Sequence, residues 1–569
     1  MKTAKYPYFV LVKNGDTLTP PPAGQPVRQV GVNLVTGERI ILIEHWEEEL
    51  SKLPVFAGPV SNRSIRIKWF RLEGGRLHTC SPLIHVGALV AFDKHERKKG
   101  LGGNRPRLRV TDQHLFLPCS LMLRHLLVMA RTGDLKSVWL TYISSFLLAC
   151  TDVACVPIDA GYDMFMFFVH RFVAAETGRD FRHWSGHAFD PFSIVYPLTR
   201  ESVPRAASFV QAMASLDGNQ VDPRSQFFAR LSYAYLASAF SRAVAVGELA
   251  PTPRRLIEHM RFAAKQLPFR NVPEPMLFLE GLSHTPNTSL TSSSSHNLMI
   301  PSVIDSGGIA YFSVPELYNP GDRPIGAAAK GAVTLACLDR KKQKLTPRRT
   351  VKLQDEAGAT FSQADAIDLL LSRKFGVADW LIGQNPALFG QYWEHIDHNT
   401  AFKLFMTPFD SDSQRYILDR CQEVYRDHLP SARGQKSLNY DIYGADENIE
   451  RERSIEINQI LEIASRKGFG FAFIDGLGTR HFDPVPVKFE PLFWADDVFN
   501  KAAHDRISDL PYPELPPVNA VIVPRKAMTP DRKASIAAAR DVLATQRKLL
   551  DPFGVFDNRP ENNEESSCV

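Results

Sequence analysis

The first hundred residues alternate apolar and polar positions in short runs. Tyr8-Phe-Val-Leu-Val, Val32-Asn-Leu-Val, Arg39-Ile-Ile-Leu-Ile and Ile65-Arg-Ile-Lys-Trp-Phe-Arg are separated by turn sequences such as Thr36-Gly-Glu and Glu73-Gly-Gly. This is the two-residue period of strands joined by tight turns, where glycine tolerates a positive φ. Pro20 to Pro22 and Pro26 mark an exposed loop between strands. Residues 1–112 therefore predict a small, mostly β domain.

From residue 113 the apolar positions recur with a helical period. Leu117-Pro-Cys-Ser-Leu-Met-Leu-Arg-His-Leu-Leu-Val-Met-Ala-Arg predicts a helix with Pro118 in its first turn. Further helices are predicted near 136–150, 160–177, 202–216, 224–247 and 252–267, so that 113–280 reads as a helical domain. The uncharged run from Ser137 to Thr151 is shorter than the roughly 18–20 residues that cross a bilayer, and it predicts a buried helix. The alanine and aromatic stripe after Gln226 is core packing at helical spacing.

Ser283-His-Thr-Pro-Asn-Thr-Ser-Leu-Thr-Ser-Ser-Ser-Ser-His has almost nothing to bury, and 281–307 predicts a flexible linker. Beyond it, 308–557 predicts a mixed region. Its strands fall near 308–314, 332–338, 348–353, 469–474 and 518–523, its helices near 362–375, 412–427, 446–467 and 529–548. The polar tail 558–569 is expected to be disordered. Together these segments predict an α+β fold of several domains, as 569 residues exceed what one core usually organises.

Composition changes this picture little: 44% hydrophobic and 23% charged residues are ordinary for a globular protein. Seven scattered cysteines without a Cys-x-x-Cys pair, and an N-terminus without an export signal, point to the cytoplasm and away from a membrane. The net charge of +5 is small, so the position of the basic residues matters more than their number.

Two basic segments stand out. Lys94, Arg97, Lys98, Lys99, Arg105, Arg107 and Arg109 surround three glycines and a single glutamate. Arg340, Lys341, Lys342, Lys344, Arg348 and Arg349 occupy the turn of an expected hairpin between the predicted strands 332–338 and 348–353. Such loops can neutralise phosphates and release their counterions, which makes nucleic acid, DNA foremost, the expected partner. A second reading uses the apolar strand expected before Asp339: with Asp322 it would hold Mg²⁺ while Lys341 polarises a water, as a metal-dependent nuclease requires. The histidine pairs His395/His398 and His183/His187 lack an identifiable third ligand. Gly321-Asp-Arg-Pro-Ile-Gly-Ala-Ala-Ala-Lys lacks the Gly-Lys-Ser/Thr ending of a phosphate loop, and Gly468-Phe-Gly and Gly476-Leu-Gly lack a strand-then-helix setting. On these grounds a nucleotide-hydrolysing enzyme is rejected and no cofactor is expected, Mg²⁺ entering only with the nuclease. Gln435-Lys-Ser-Leu-Asn-Tyr resembles peptides that dock into bacterial sliding clamps, with Leu438 and Tyr440 as anchors and Gln435 setting orientation.

The stretch Arg107-Leu-Arg-Val-Thr-Asp-Gln-His-Leu-Phe-Leu-Pro-Cys-Ser-Leu-Met-Leu-Arg-His-Leu-Leu, following a hundred mostly β residues, resembles the N-terminal part of TnsE-type target-selection proteins of bacterial cut-and-paste transposons. The resemblance covers the first quarter of the chain and implies DNA binding and contact with the replication clamp. The leading expectation is thus a non-catalytic nucleic-acid-binding accessory protein of a mobile element or phage-related system. Its competitors are the nuclease and a scaffold subunit of a multi-protein assembly.

Overall fold

The fold was obtained as a computed structural model. It describes residues 8–16, 18, 27–43, 66–93, 107–161, 163–184, 189, 191–192, 194–214, 224–266, 274–284, 298–314, 323–345, 348–408, 410–421, 423–427, 449–453, 455, 457–475 and 484–492. The N-terminal strands are β1 (Tyr8–Val12), β2 (Val27–Val32), β3 (Arg39–Ile43), β4 (Lys68–Glu73), β5 (Arg76–Thr79), β6 (Leu83–Asp93) and β7 (Arg107–Pro118). A single helical turn, α1 (Cys119–Met122), leads into β8 (His125–Ala130) and then α2 (Lys136–Cys150), β9 (Ala154–Asp159), α3 (Met164–Thr177) and β10 (Phe181–His183). The helices α4 (Val203–Ala214), α5 (Arg224–Ala245), α6 (Pro253–Gln266), α7 (Glu274–His284) and α8 (Ile300–Ser306) follow. Next come β11 (Ile309–Ser313), α9 (Arg323–Lys342), β12 (Thr350–Gln354), α10 (Ala357–Thr360), α11 (Gln363–Leu371), β13 (Val377–Gly383), α12 (Trp393–Asn399) and β14 (Thr400–Met406). The described chain ends with α13 (Ser411–Asp419), the hairpin β15 (Glu423–Asp427) and β16 (Ile449–Arg453), α14 (Ile457–Ala464), β17 (Phe469–Ile474) and β18 (Val485–Lys488).

Apart from β15 and β16, these strands form one mixed sheet in the order β10-β11-β9-β12-β13-β8-β14-β17-β18-β6-β7-β2-β3-β1-β4-β5. The seven strands from β10 to β14 are all parallel. The protein is accordingly an α+β fold in which β17 and β18 join antiparallel and connect the parallel half to the N-terminal strands. Strands buried on both faces read as continuous apolar runs rather than alternations. Every residue of β8, β9, β11, β13 and β14 is buried.

Several of the expected elements take another form: Glu423–Asp427 and Ile449–Arg453, within the helices expected near 412–427 and 446–467, are the hairpin strands β15 and β16, and two further elements change more. The helix expected over 117–131 is largely strand: β7 continues to Pro118 and His125–Ala130 is β8. The strand expected at 332–338 and the hairpin turn after it belong instead to the twenty-residue helix α9. The expected buried helix is α2, which is packed on all sides; Trp139 Nε1 donates to the Val86 carbonyl at 2.6 Å, tying α2 to β6. Beneath these elements a buried polar chain joins three neighbouring strands: Lys352 Nζ on β12 lies 2.7 Å from Asp379 on β13, whose backbone N–H donates to His125 Nδ1 on β8 at 3.0 Å.

Candidate functional site: a strand, turn and helix at one rim of the sheet

β8, β9, β12 and β13 end on the same rim of the sheet, where open α/β folds place their ligands. β13 and β14 flank β8 on opposite sides, so the strand order reverses there. From β8 the chain turns through Arg131–Leu135 into α2, whose first residue is Lys136. Gly133 has φ +91°, and Leu135, the residue before the helix, sits in the left-handed region at φ 67°, ψ 17°. A leucine held there costs about 1–2 kcal/mol of backbone strain, a feature that collects at functional sites. The turn is held from outside, with Leu135 lying over Gly468 and Thr407 donating to the Asp134 carboxylate at 2.5 Å.

This is the geometry of a phosphate-binding loop, in which a left-handed residue, normally glycine, precedes a lysine and a hydroxyl at a helix N-terminus. Here the segment reads Ala130-Arg-Thr-Gly-Asp-Leu-Lys-Ser137. Both glycines of the usual G-x-x-x-x-G-K-S/T spacing are replaced, by Ala130 and Leu135, while the lysine and serine remain.

The groups that meet this lysine and serine come from the adjacent strand, β13, and the next but one, β12. β12 is followed directly by Asp355 and Glu356, and β13 by Gln384. Lys136 is ion-paired with the Glu356 carboxylate, both side chains being largely buried. Gln384 Nε2 donates to the other Glu356 oxygen at 3.2 Å, and the Ser137 hydroxyl lies 3.4 Å from Asp355. Burial pushes the Asp355 carboxyl up to about 7, with Asp163 and Glu356 adding to the effect and Lys136 opposing it. Asp159 closes β9 and is held well above its ordinary value by burial and by the neighbouring Asp355 and Asp163; the Tyr311 hydroxyl donates to it at 2.8 Å. Asp163 caps α3 by accepting from the N–H groups of Phe165 and Met166.

A lysine, a hydroxyl, a carboxylate at a strand end, a second carboxylate after it and an amide on the adjacent strand are the set that a nucleoside triphosphate with Mg²⁺ requires. Among the described residues no cluster of three metal-ligating side chains exists.

The residues singled out from sequence fall elsewhere. Lys94, Arg97, Lys98, Lys99, Arg105, Asp322, Gln435, Leu438 and Tyr440 lie outside the described residues, as do the predicted strand at 518–523, the predicted helix at 529–548 and the tail. Arg107 and Arg109 are on β7. Asp339 is on α9, where it is ion-paired with Arg205, and Lys341 donates to the Lys374 carbonyl at 3.0 Å. Neither side chain meets the other in the strand-and-turn setting expected for a nuclease. Arg340, Lys341, Lys344, Arg348 and Arg349 gather at the opposite rim of the sheet, and Lys342 ends α9 beside them.

No protein-family model matches the chain, and no curated protein matches it. Solved structures with a similar path are known. One described as a bacterial conjugative coupling protein, TrwBdeltaN70, has 17% identity and a TM-score of 0.48, over 67% of this chain and 87% of its own. The plasmid coupling protein TrwB in complex with ADP and Mg²⁺ has 16% identity and a TM-score of 0.47, over 73% and 97%. VirB4 of Thermoanaerobacter pseudethanolicus has 13% identity and a TM-score of 0.41, over 72% and 96%. Likeness of this degree establishes neither a family nor an activity for this chain, and no TnsE-type protein is among these neighbours. The expectation of no cofactor is nevertheless corrected. TrwB itself has been solved with ADP and Mg²⁺ and with non-hydrolysable GTP and ATP analogues; in this chain the β8–α2 turn sets Lys136 and Ser137 at a helix N-terminus beside Asp355 and Glu356. Among the described residues no helix is long and apolar enough to cross a membrane.

Proposed function

We propose that the chain binds a nucleoside triphosphate with Mg²⁺ at the ends of β8, β12 and β13 and hydrolyses it, as part of a nucleic-acid-handling system of a bacterial mobile element. The observation that carries this reading is the convergence of Lys136, Ser137, Asp355, Glu356 and Gln384 from three separate segments onto one rim. The mobile-element setting follows the coupling proteins named above and belongs to the proposal.

In this reading the loop N–H groups and Lys136 hold the phosphates, and Ser137 and Asp355 hold the metal ion. When bound, Mg²⁺ would neutralise charge on the phosphate oxygens and draw the Asp355 carboxyl into its ionised form. Lys136 must leave Glu356 to meet the phosphates, which frees the Glu356 carboxylate to orient and deprotonate a water, with Gln384 keeping it in place.

The test is release of inorganic phosphate from ATP and GTP by the full chain, with and without Mg²⁺, beside binding of a fluorescent nucleotide. Mg²⁺-dependent hydrolysis that disappears in Lys136→Ala, together with weakened binding, supports the reading. A wild-type chain that neither binds nor hydrolyses nucleotide at millimolar concentration overturns it.

A further inference from the structure

The opposite rim of the parallel sheet carries a second site. A concavity of about 350 Å³ opens where α9 ends, where the chain enters β12 and where the 3₁₀ turn Ser372–Phe375 leads into β13. Three separate segments put cationic side chains around it: Arg340, Lys341 and Lys344 from α9 and its exit, Arg348 and Arg349 before β12, and Arg373 and Lys374 before β13.

Some of these charges are spoken for. Arg340 is ion-paired with Asp305, and Arg348 lies 2.7 Å from Asp152. Lys344, Arg349, Arg373 and Lys374 are exposed and have no carboxylate partner among the described residues. A helix C-terminus attracts cations for reasons of its own, through its unsatisfied carbonyls. That accounts for the last turn of α9, but not for Arg349, which precedes the strand β12. Gathering unpaired cations around one hollow costs repulsion that a polyanion would relieve.

We infer that this basic hollow holds the phosphodiester backbone of a nucleic acid, at the end of the sheet away from the Lys136 site. Among the described residues that line it, Phe375 is the single aromatic, half-buried with Lys341 Nζ 5.5 Å from its ring centroid, so the lining offers cations rather than a platform of stacked rings. Contact is therefore made to phosphates and is independent of sequence. The inference does not depend on the nucleotide reading, since the two sites share no residue.

The experiment measures binding of fluorescein-labelled single-stranded and duplex DNA of mixed sequence to the full chain over a salt series without nucleotide. It compares wild type with Lys344→Gln/Arg349→Gln/Arg373→Gln/Lys374→Gln and with a control of equal charge change, Lys13→Gln/Arg76→Gln/Arg254→Gln/Lys467→Gln, all four exposed and none of them lining the hollow. Loss of four phosphate contacts lowers the slope of log affinity against log salt by about 3 and weakens binding more than ten-fold at low salt. The control keeps the wild-type slope, and thermal melting shows both variants folded. Equal affinity and slope in wild type and hollow variant overturns the inference, as does an equal loss in the two variants. Competition by tripolyphosphate as strong, per phosphate, as by DNA would reassign the hollow to small polyphosphates and overturn it too. Basal nucleotide hydrolysis of the hollow variant stays at the wild-type level, so failure here and failure at Lys136 are read separately.

Discussion

Replacing Glu356 by glutamine separates two roles of one carboxylate. In the free protein Glu356 holds Lys136, and any nucleotide must first break that contact. A hydrogen bond between charged groups contributes about 1.5–3 kcal/mol. Glutamine keeps a neutral acceptor for the lysine and so retains part of this, leaving about 1–2 kcal/mol less to overcome when nucleotide binds. At 1.4 kcal/mol per decade, that is about 5- to 30-fold tighter nucleotide binding. Hydrolysis moves the other way, by about 10²–10⁴, because the group that takes the proton from water is gone. The assay is titration of a fluorescent nucleotide alongside phosphate release. A gain in affinity could also come from removing a negative charge near the phosphates, so Glu356→Gln is repeated in a Lys136→Met background. If the gain runs through Lys136, it vanishes there. An unchanged gain in the double variant, or weaker binding in the single one, refutes the latch.

Three further outcomes follow from the geometry. In an ordinary helical or strand position alanine is more stable than glycine, but at Leu135 the left-handed backbone inverts the order: Leu135→Gly should be about 1 kcal/mol more stable than Leu135→Ala, since both lose the same packing and only glycine loses the strain. Chemical denaturation midpoints check this, and the usual order would show that the strain is absent. His114, hydrogen-bonded at 3.0 Å to the buried His85, is lowered by burial to about 4. Its neutral form therefore stabilises the fold above its unfolded value of about 6.5, and this contribution is lost as pH falls towards 4 at about 1.4 kcal/mol per unit. In His114→Gln the stability deficit against wild type should shrink between pH 7.5 and 5, and a pH-independent deficit in melting temperature would contradict the assignment. Ser137→Ala should raise the Mg²⁺ concentration needed for half-maximal hydrolysis more than it raises the nucleotide requirement, a split that phosphate-release titrations resolve.

Much of the helical framework was legible in the sequence because its periodicity is strong. The helices near 136–150, 164–177, 203–214, 224–245 and 253–266 fall within a few residues of expectation. The proposed nucleotide site was not, for two local reasons. His125-Leu-Leu-Val-Met-Ala is a short apolar run rich in helix formers, and periodicity cannot tell such a buried parallel strand from a buried helix. Read as helix, β8 removed the strand that a phosphate loop needs in front of it. Leu135 then concealed the loop itself, because a search for glycine before lysine tests the residue type, whereas the fold requires only the left-handed conformation. The signal that remained was Thr350-Val-Lys-Leu-Gln followed by Asp355-Glu356, an apolar strand ending in paired carboxylates. The basic residues after Arg340 were recognised, but in an imagined hairpin; α9 and the turn before β13 bring Arg373 and Lys374 to them, a convergence no local pattern contains.

β12 and β13 have a consequence of their own. Each begins at the basic hollow and ends at Glu356 or Gln384, and at about 3.3 Å per residue β12 spans some 17 Å. They are cross-braced midway by Lys352 and Asp379, inside packing as dense as a crystal. That pair of braced strands is one continuous stretch of sheet, so the proposed polymer site and the proposed phosphate site stand at its two ends.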